Sequence, residues 1–344
     1  MKTVFGLAFA AAAFASAIGS SAHAAQGDTL KAVQQRGALN CTSGDGNFEG
    51  FFEVDAQGKW HGVDIDYCRA VATAIFGSDD KLKLIPISWA QRFPSLQSGD
   101  LDLVIKATGW TMSRDTELGI QFSMPYFVGA TSFMAHKDLN VKSLAEMSGG
   151  TICVAGGTST EKLISDYLKQ NKLDIKLITY EKNDEATAAY YANRCDSYAE
   201  WAPVLAASRA AAANPDDHVI LTDTLALEPE SAAMRQGDDA WVDLVNWVIA
   251  VGLIAEENGV NSKNVDEMKA NPPNTTVGKL LGVTPGIGKR VGLADDWAYK
   301  VIKTVGNAGE IYDRNIGKDS RYKLPRGLNA PWQKGGVLYP PILD

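Results

Sequence analysis

An alternation of short apolar strands with amphipathic helices, run through twice in succession, most constrains how this chain can fold. In the first pass a helix starting near Thr29 leads into a strand at Gly37–Cys41, and Val63–Phe76 carries helical spacing. Leu82–Ile87 then reads as a strand, Arg92–Ser98 as a short helix closed by Gly99, and Leu101–Ile105 and Phe133–Lys137 as further strands. In the second pass strands are expected at Ile152–Val154, Leu177–Tyr180 and Cys195–Ala199. The helices between and after them run from Thr158 to Gln170, from Asn183 to Ala192, and onward to Ala213. Strands separated by helices predict parallel sheets covered on both faces. A strand at Val219–Leu221 and a long helix at Asp239–Glu257 then return the chain to the first unit. The tail beyond Asn271 is rich in Gly, Pro and Asn. It is expected to hold one helix, Leu293–Ile316, and to end in an extended strap, Lys323–Asp344.

A length of 344 residues suits about two domains. Lys and Arg number 33 against 41 Asp and Glu, with no basic run, which excludes nucleic-acid binding by phosphate neutralisation. Lys2, an apolar stretch from Val4 to Ile18 and the small-x-small pattern Ala22-His23-Ala24 predict a signal peptide over 1–24. The chain beyond it is expected to be exported, and the next most apolar run, Val245–Ala255, is too short to span a membrane. All four cysteines lie beyond the cleavage point, and an even count in an oxidising compartment predicts two disulfides. Of the three possible pairings, Cys41–Cys68 with Cys153–Cys195 is the most local and puts one bridge in each half. No CxxC spacing or adjacent His suggests a metal site, and no cofactor is expected.

Nucleophile and zinc-protease signatures (GxSxG, HExxH) are absent. Gly286-Ile287-Gly288-Lys289 lacks the spacing of a phosphate loop. Two segments suit a small anion better. Arg114 follows a predicted strand within Thr108–Asp115, where a guanidinium can pair with a carboxylate through two hydrogen bonds. Gly156-Gly157-Thr158-Ser159-Thr160-Glu161 opens a helix and offers backbone N–H groups, although Thr158 and Glu161 also fit a plain capping box. Phe51, Phe52, Trp60, Trp89, Trp110, Tyr126 and Trp201 lie near predicted loops, where flat side chains can line a cleft.

Longer segments carry a resemblance over the whole chain beyond the leader. They are Trp60–Ala72, Arg92–Asp102, Thr111–Thr116, Asn214–Val219, Arg235–Trp241 and Asn264–Met268. These resemble the periplasmic solute-binding proteins of polar amino-acid ABC transporters, in particular the general L-amino-acid type. The resemblance implies an α/β, type II-like periplasmic binding protein: two lobes, each a sheet flanked by helices, joined by a two-strand hinge and closing on a ligand. Lobe 1 is then expected to comprise 25–136 with 226–344, and lobe 2 137–225. The implied partners are a small carboxylate-bearing ligand and a membrane ABC permease, with the protein a periplasmic monomer. Arg114 matches the family's grip on the ligand α-carboxylate, helped by Thr111. Thr158, Ser159 and Thr160 match donors from the second lobe, Trp89 the aromatic that stacks on the ligand, and Phe51 the other pocket-lining loop.

Two positions depart from the family pattern. Trp201 stands where an Asp usually receives the ligand α-ammonium, and Gly109 where a Thr is usual. Three readings follow: neighbouring Glu200 takes over, Trp201 meets a cation through its π face, or the ligand is a carboxylate without an α-ammonium. An enzyme resembling cyclohexadienyl dehydratases is a further alternative, with Glu200 as general acid.

Overall fold

The computed structural model describes residues 28–344, so the expected signal peptide lies outside the described residues. The described residues form ten strands: β1 (Leu39–Gly44), β2 (Glu53–Val54), β3 (Trp60–His61), β4 (Leu82–Ile87), β5 (Ile120–His136), β6 (Thr151–Ala155), β7 (Lys176–Tyr180), β8 (Ser197–Trp201), β9 (His218–Ile220) and β10 (Leu227–Arg235). In the first lobe β1 and β4 pair in parallel, with the helix Val63–Phe76 packed on β1. The second lobe's sheet sets β6 between β7 and β8, both parallel to it.

Strand β5 joins the two. Residues 120–130 pair antiparallel with β10, whereas 131–135 pair with β8 and 134–136 with β9. The partner changes between Ala130 and Thr131. Residues 131–136 therefore hydrogen-bond within the second sheet. Alternation along the strands separates two cores in that lobe. Phe133, Ile152, Val154 and Ala199 meet Ile164 and Leu168 of the helix Ser159–Gln170. Met134, Cys153 and Tyr198 meet Ala186, Tyr190 and Leu205 on the opposite face.

The helix Asp239–Glu257 is apolar almost all round and is buried in the first-lobe core, as such a pattern requires. Asp238 caps it, accepting from the Trp241 N–H. Two expectations fail here. Leu101–Ile105 forms a single bridge, Val104 with Ala233, and no strand. The tail helix is interrupted, giving Trp297–Thr304 and Ala308–Asn315. Gly306 takes φ 95° between them, and Asn307 starts the second helix through a capping box with Glu310. The final strap docks on the first lobe. Asn329 brackets Val128 of β5, accepting from its N–H at 2.7 Å and donating to its C=O at 3.0 Å. No helix among the described residues is long and apolar enough to cross a membrane.

Both expected disulfides form, Cys41–Cys68 tying β1 to the helix Val63–Phe76 and Cys153–Cys195 tying β6 to the entry of β8. Their sequence separations are 27 and 42 residues. Loop closure of that size restricts the unfolded chain by about 3.5–4 kcal/mol per bridge. Replacing Cys153 and Cys195 by Ser is expected to lower the unfolding free energy by about 2–4 kcal/mol in a urea titration. An unchanged midpoint would show that the bridge does not constrain the unfolded state.

Candidate functional site

A cavity of about 510 Å³ opens where the lobes meet. Gly109, Thr111 and Arg114 line it from the first lobe, Thr158 and Ser159 from the second, and Glu228 from β10. Thr111 is the N-cap of the short helix Met112–Glu117, its hydroxyl accepting from the Arg114 N–H at 3.4 Å. That cap turns the Arg114 side chain back over the preceding loop. Nη1 donates to the Gly109 carbonyl at 2.8 Å, and the guanidinium lies over the Phe93 ring at 5.3 Å. Burial lowers the Arg114 pKa, while Glu230 and Glu228 oppose that shift.

Glu228 and Glu230 are two apart on β10 and so share a face. Glu228 accepts from the Thr131 hydroxyl through Oε1, while its Oε2 has no partner. Glu230 is wholly buried with both oxygens unpartnered. Burial, reinforced by Glu228, holds the Glu230 carboxyl well above the usual carboxylate range. The sequence does not point to either residue as a site residue, because Glu228-Pro229-Glu230 lacks the apolar alternation of a strand. The signal available was a pair of acids spaced by two directly before the run Ser231–Met234.

Three expected pocket aromatics form a packed cluster and do not line the cavity. Phe51 lies 5.3 Å from Trp201 and 4.9 Å from Phe127, edge on in both cases, and Trp89 meets Phe48 at 5.6 Å. Trp201 also covers Gly129 of β5, where a Cβ would stand 2.7 Å from the indole. No cation lies over the Trp201 ring among the described residues. Beneath the cluster Lys106 stacks on Phe52 at 4.4 Å and Trp89 at 4.6 Å. Burial pulls its ammonium down to about 7. Arg92 bridges the lobes, donating from Nη2 to the Gly157 carbonyl at 3.2 Å.

Glu200 points to the face of β8 away from Trp201. Its Oε2 accepts from Asn183 Nδ2 at 2.9 Å and its Oε1 from the Trp201 N–H at 3.0 Å. Burial pushes its carboxyl up to about 7. At the helix start, Thr158 accepts from the Glu161 N–H at 3.1 Å, as a cap should. The Glu161 carboxylate, however, takes the Gly157 N–H instead of completing the box, and the Gly156 N–H goes to Tyr180. Thr160 is buried away from the cavity, leaving Thr158 and Ser159 exposed to it. The Gly286 and Gly288 N–H groups are filled by Asp295.

Residues 43–253 match the bacterial extracellular solute-binding proteins, family 3. The chain belongs to that family. It is 44% identical over 333 residues to the general L-amino acid-binding periplasmic protein AapJ of Rhizobium johnstonii, covering 96% of this chain and 97% of the relative. It is 39% identical over 320 residues to the glutamate/glutamine/aspartate/asparagine-binding protein BztA of Rhodobacter capsulatus, covering 93% and 94%. A solved periplasmic binding protein of an ABC transporter from Brucella ovis, with glutathione bound, superposes with a TM-score of 0.85 at 44% identity, covering 90% of this chain and 98% of that one. This family-3 chain thus has the two-lobed, hinged fold of its relatives, which are binding proteins.

Two buried carboxyls that do not line the cavity have a measurable consequence. Asp64 and Glu200 both have pKa values raised to about 7, against 3.8 and 4.5 when unfolded. Between about pH 4.5 and 7 the folded state therefore holds protons that the unfolded state has lost, so these groups make stability fall as pH rises. Above about 7 their contribution levels off. Glu200→Gln, whose amide oxygen can keep one of the two accepted hydrogen bonds while its NH2 can accept neither, is expected to flatten the fall in melting temperature between pH 5 and 7. Parallel curves for variant and wild type would remove Glu200 from that slope.

Proposed function

We propose that the protein is a periplasmic receptor that captures a free L-amino acid in the 510 Å³ cavity and delivers it to an ABC permease. The observation that carries this is Arg114. Its guanidinium makes one hydrogen bond among the described residues, to Gly109, and otherwise faces the cavity beside Ser159. A planar fork of N–H donors so placed suits a ligand α-carboxylate. Thr111 supports it from below, and Thr158 and Ser159 close on the ligand from the other lobe. In this reading lobe 1 comprises 28–130 with 226–344 and lobe 2 131–225, the crossing falling where β5 changes partner. The amino-acid relatives AapJ and BztA support the ligand class. Export through the leader at 1–24 fits the periplasmic relatives and the two disulfides.

A longer ligand with the same head group is the second reading. The cavity is roomy for one amino acid, and the Brucella ovis relative holds glutathione, whose γ-glutamyl end presents the same α-carboxylate and α-ammonium. We read the protein as a receptor and not a dehydratase because both Glu200 oxygens are already bonded, on the face of β8 turned from Trp201.

The test is calorimetric titration of protein stripped of ligand by unfolding and refolding, using L-amino acids and glutathione. Arg114→Ala is expected to weaken the best ligand by about 10–150-fold, the worth of a charged hydrogen bond. Binding unaffected by the substitution would move the carboxylate site elsewhere.

A further inference from the structure

Resting on this reading, we infer that Glu228 is the acceptor of the ligand's α-ammonium, taking the part that an Asp at position 201 usually plays. Three polar atoms from three different segments surround one point. A Cβ on residue 109 would stand 3.1 Å from Glu228 Oε2, 3.1 Å from Ser159 Oγ and 3.6 Å from Arg114 Nη1. Gly109 places no side chain between these three groups, and Gly109, Arg114, Ser159 and Glu228 all line the cavity. A side chain at 109 would press on Glu228 and Ser159, so glycine leaves Arg114 and Glu228 able to meet a zwitterion's two charges side by side.

Glu228 is suited to the role by what it lacks. Its side chain is 95% buried, one oxygen is held by Thr131, and the other has no hydrogen-bond partner. A buried acceptor left unpaired is costly, and a ligand ammonium supplies the missing donors with charge assistance. The Thr131 hydrogen bond fixes the carboxylate so that Oε2, not Oε1, faces Ser159 and Arg114. The other carboxylates on the cavity, Glu117 and Asp166, are exposed to water, Asp166 being paired with Lys162, and the two acceptors the sequence raises are spent. Glu200 is bonded on the far face of β8, and the Trp201 indole is covered by Gly129, Phe51 and Phe127. The two departures from the family pattern are then linked. Losing the carboxylate at position 201 coincides with clearing residue 109 beside Glu228. Glu228 belongs to β10, one of the two crossing strands, so ammonium recognition sits at the hinge.

The experiment is titration of stripped wild type and Glu228→Gln with L-glutamate, glutathione and glutarate, the last lacking the ammonium. In the variant the affinity for L-glutamate or glutathione is expected to fall about 30-fold or more. Glutarate binding should be unchanged or tighter, since a buried negative charge has been removed. Affinity for the amino-bearing probes within threefold of wild type, or an equal fall for all probes, overturns the assignment while leaving the receptor reading intact. Wild type that binds neither L-glutamate, glutathione nor any other amino acid overturns both. If Glu228→Gln gives no cooperative melt, Glu228→Asp is held to the same criterion, since it keeps the charge and withdraws it by one methylene.

Discussion

The hydrogen bonding of one continuous strand to two different sheets sets the geometry of this molecule. Strand β5 holds β10 along 120–130 and β8 along 131–135. Arg114 is built on the segment that enters β5, Glu228 on its first partner, and Trp201 on its second. Their separations are therefore fixed by backbone pairing and change only if the strand bends. The switch of partner falls at Ala130 and Thr131, next to Gly129. That place is guarded from both sides, by Trp201 packed on Gly129 and by Asn329 of the terminal strap bonded to Val128. The strap thus grips β5 two residues before the switch of partner.

Electrostatics makes the same region unusual. Arg92, Lys106 and Arg114 are gathered with Asp64, Glu228 and Glu230 in a water-poor space. Asp64 is satisfied by the Ala107 N–H at 2.8 Å and the Tyr126 hydroxyl at 2.7 Å, which makes it a structural pin for the loop leading to Arg114. Glu230 has no such partners, and burial, followed by the neighbouring Glu228, pushes its carboxyl well above the usual carboxylate range. Of the charged groups lining the cavity, Glu117, Lys162 and Asp166 are exposed, whereas Arg114 is half-buried and Glu228 buried. Such a pair suits a zwitterion better than a simple anion.

Much of the fold was legible locally. Val63–Phe76 and Arg92–Ser98 are each stopped by a left-handed glycine, Gly77 and Gly99. Thr111 and Thr158 each mark a helix start through a hydroxyl cap. The misses share a cause. Pro125 and Gly129 hide the long β5, and the sequence Glu228-Pro229-Glu230 hides β10, because both strands are stabilised by each other and not by local propensity. Leu101–Ile105 has strand character but finds one bridge partner only. The site divides the same way. Arg114 and Thr111 could be read from a local motif. Glu228 could not, since it reaches Ser159 and Gly109 only through pairing between segments about 100 residues apart. The aromatics Phe51, Trp89 and Trp201 read as pocket walls in sequence and pack on one another in the structure, because flat apolar side chains near a cleft bury each other's surface as readily as a ligand's.

The most direct measurement is a crystal structure of the stripped protein regenerated with L-glutamate. The expected density places the α-carboxylate on the Arg114 guanidinium and the α-ammonium within hydrogen-bonding distance of Glu228 Oε2, close to Ser159 Oγ. A ligand seated among Phe51, Trp89 and Trp201 with its ammonium turned to Glu200, or one bound without contact to Arg114, would contradict both assignments.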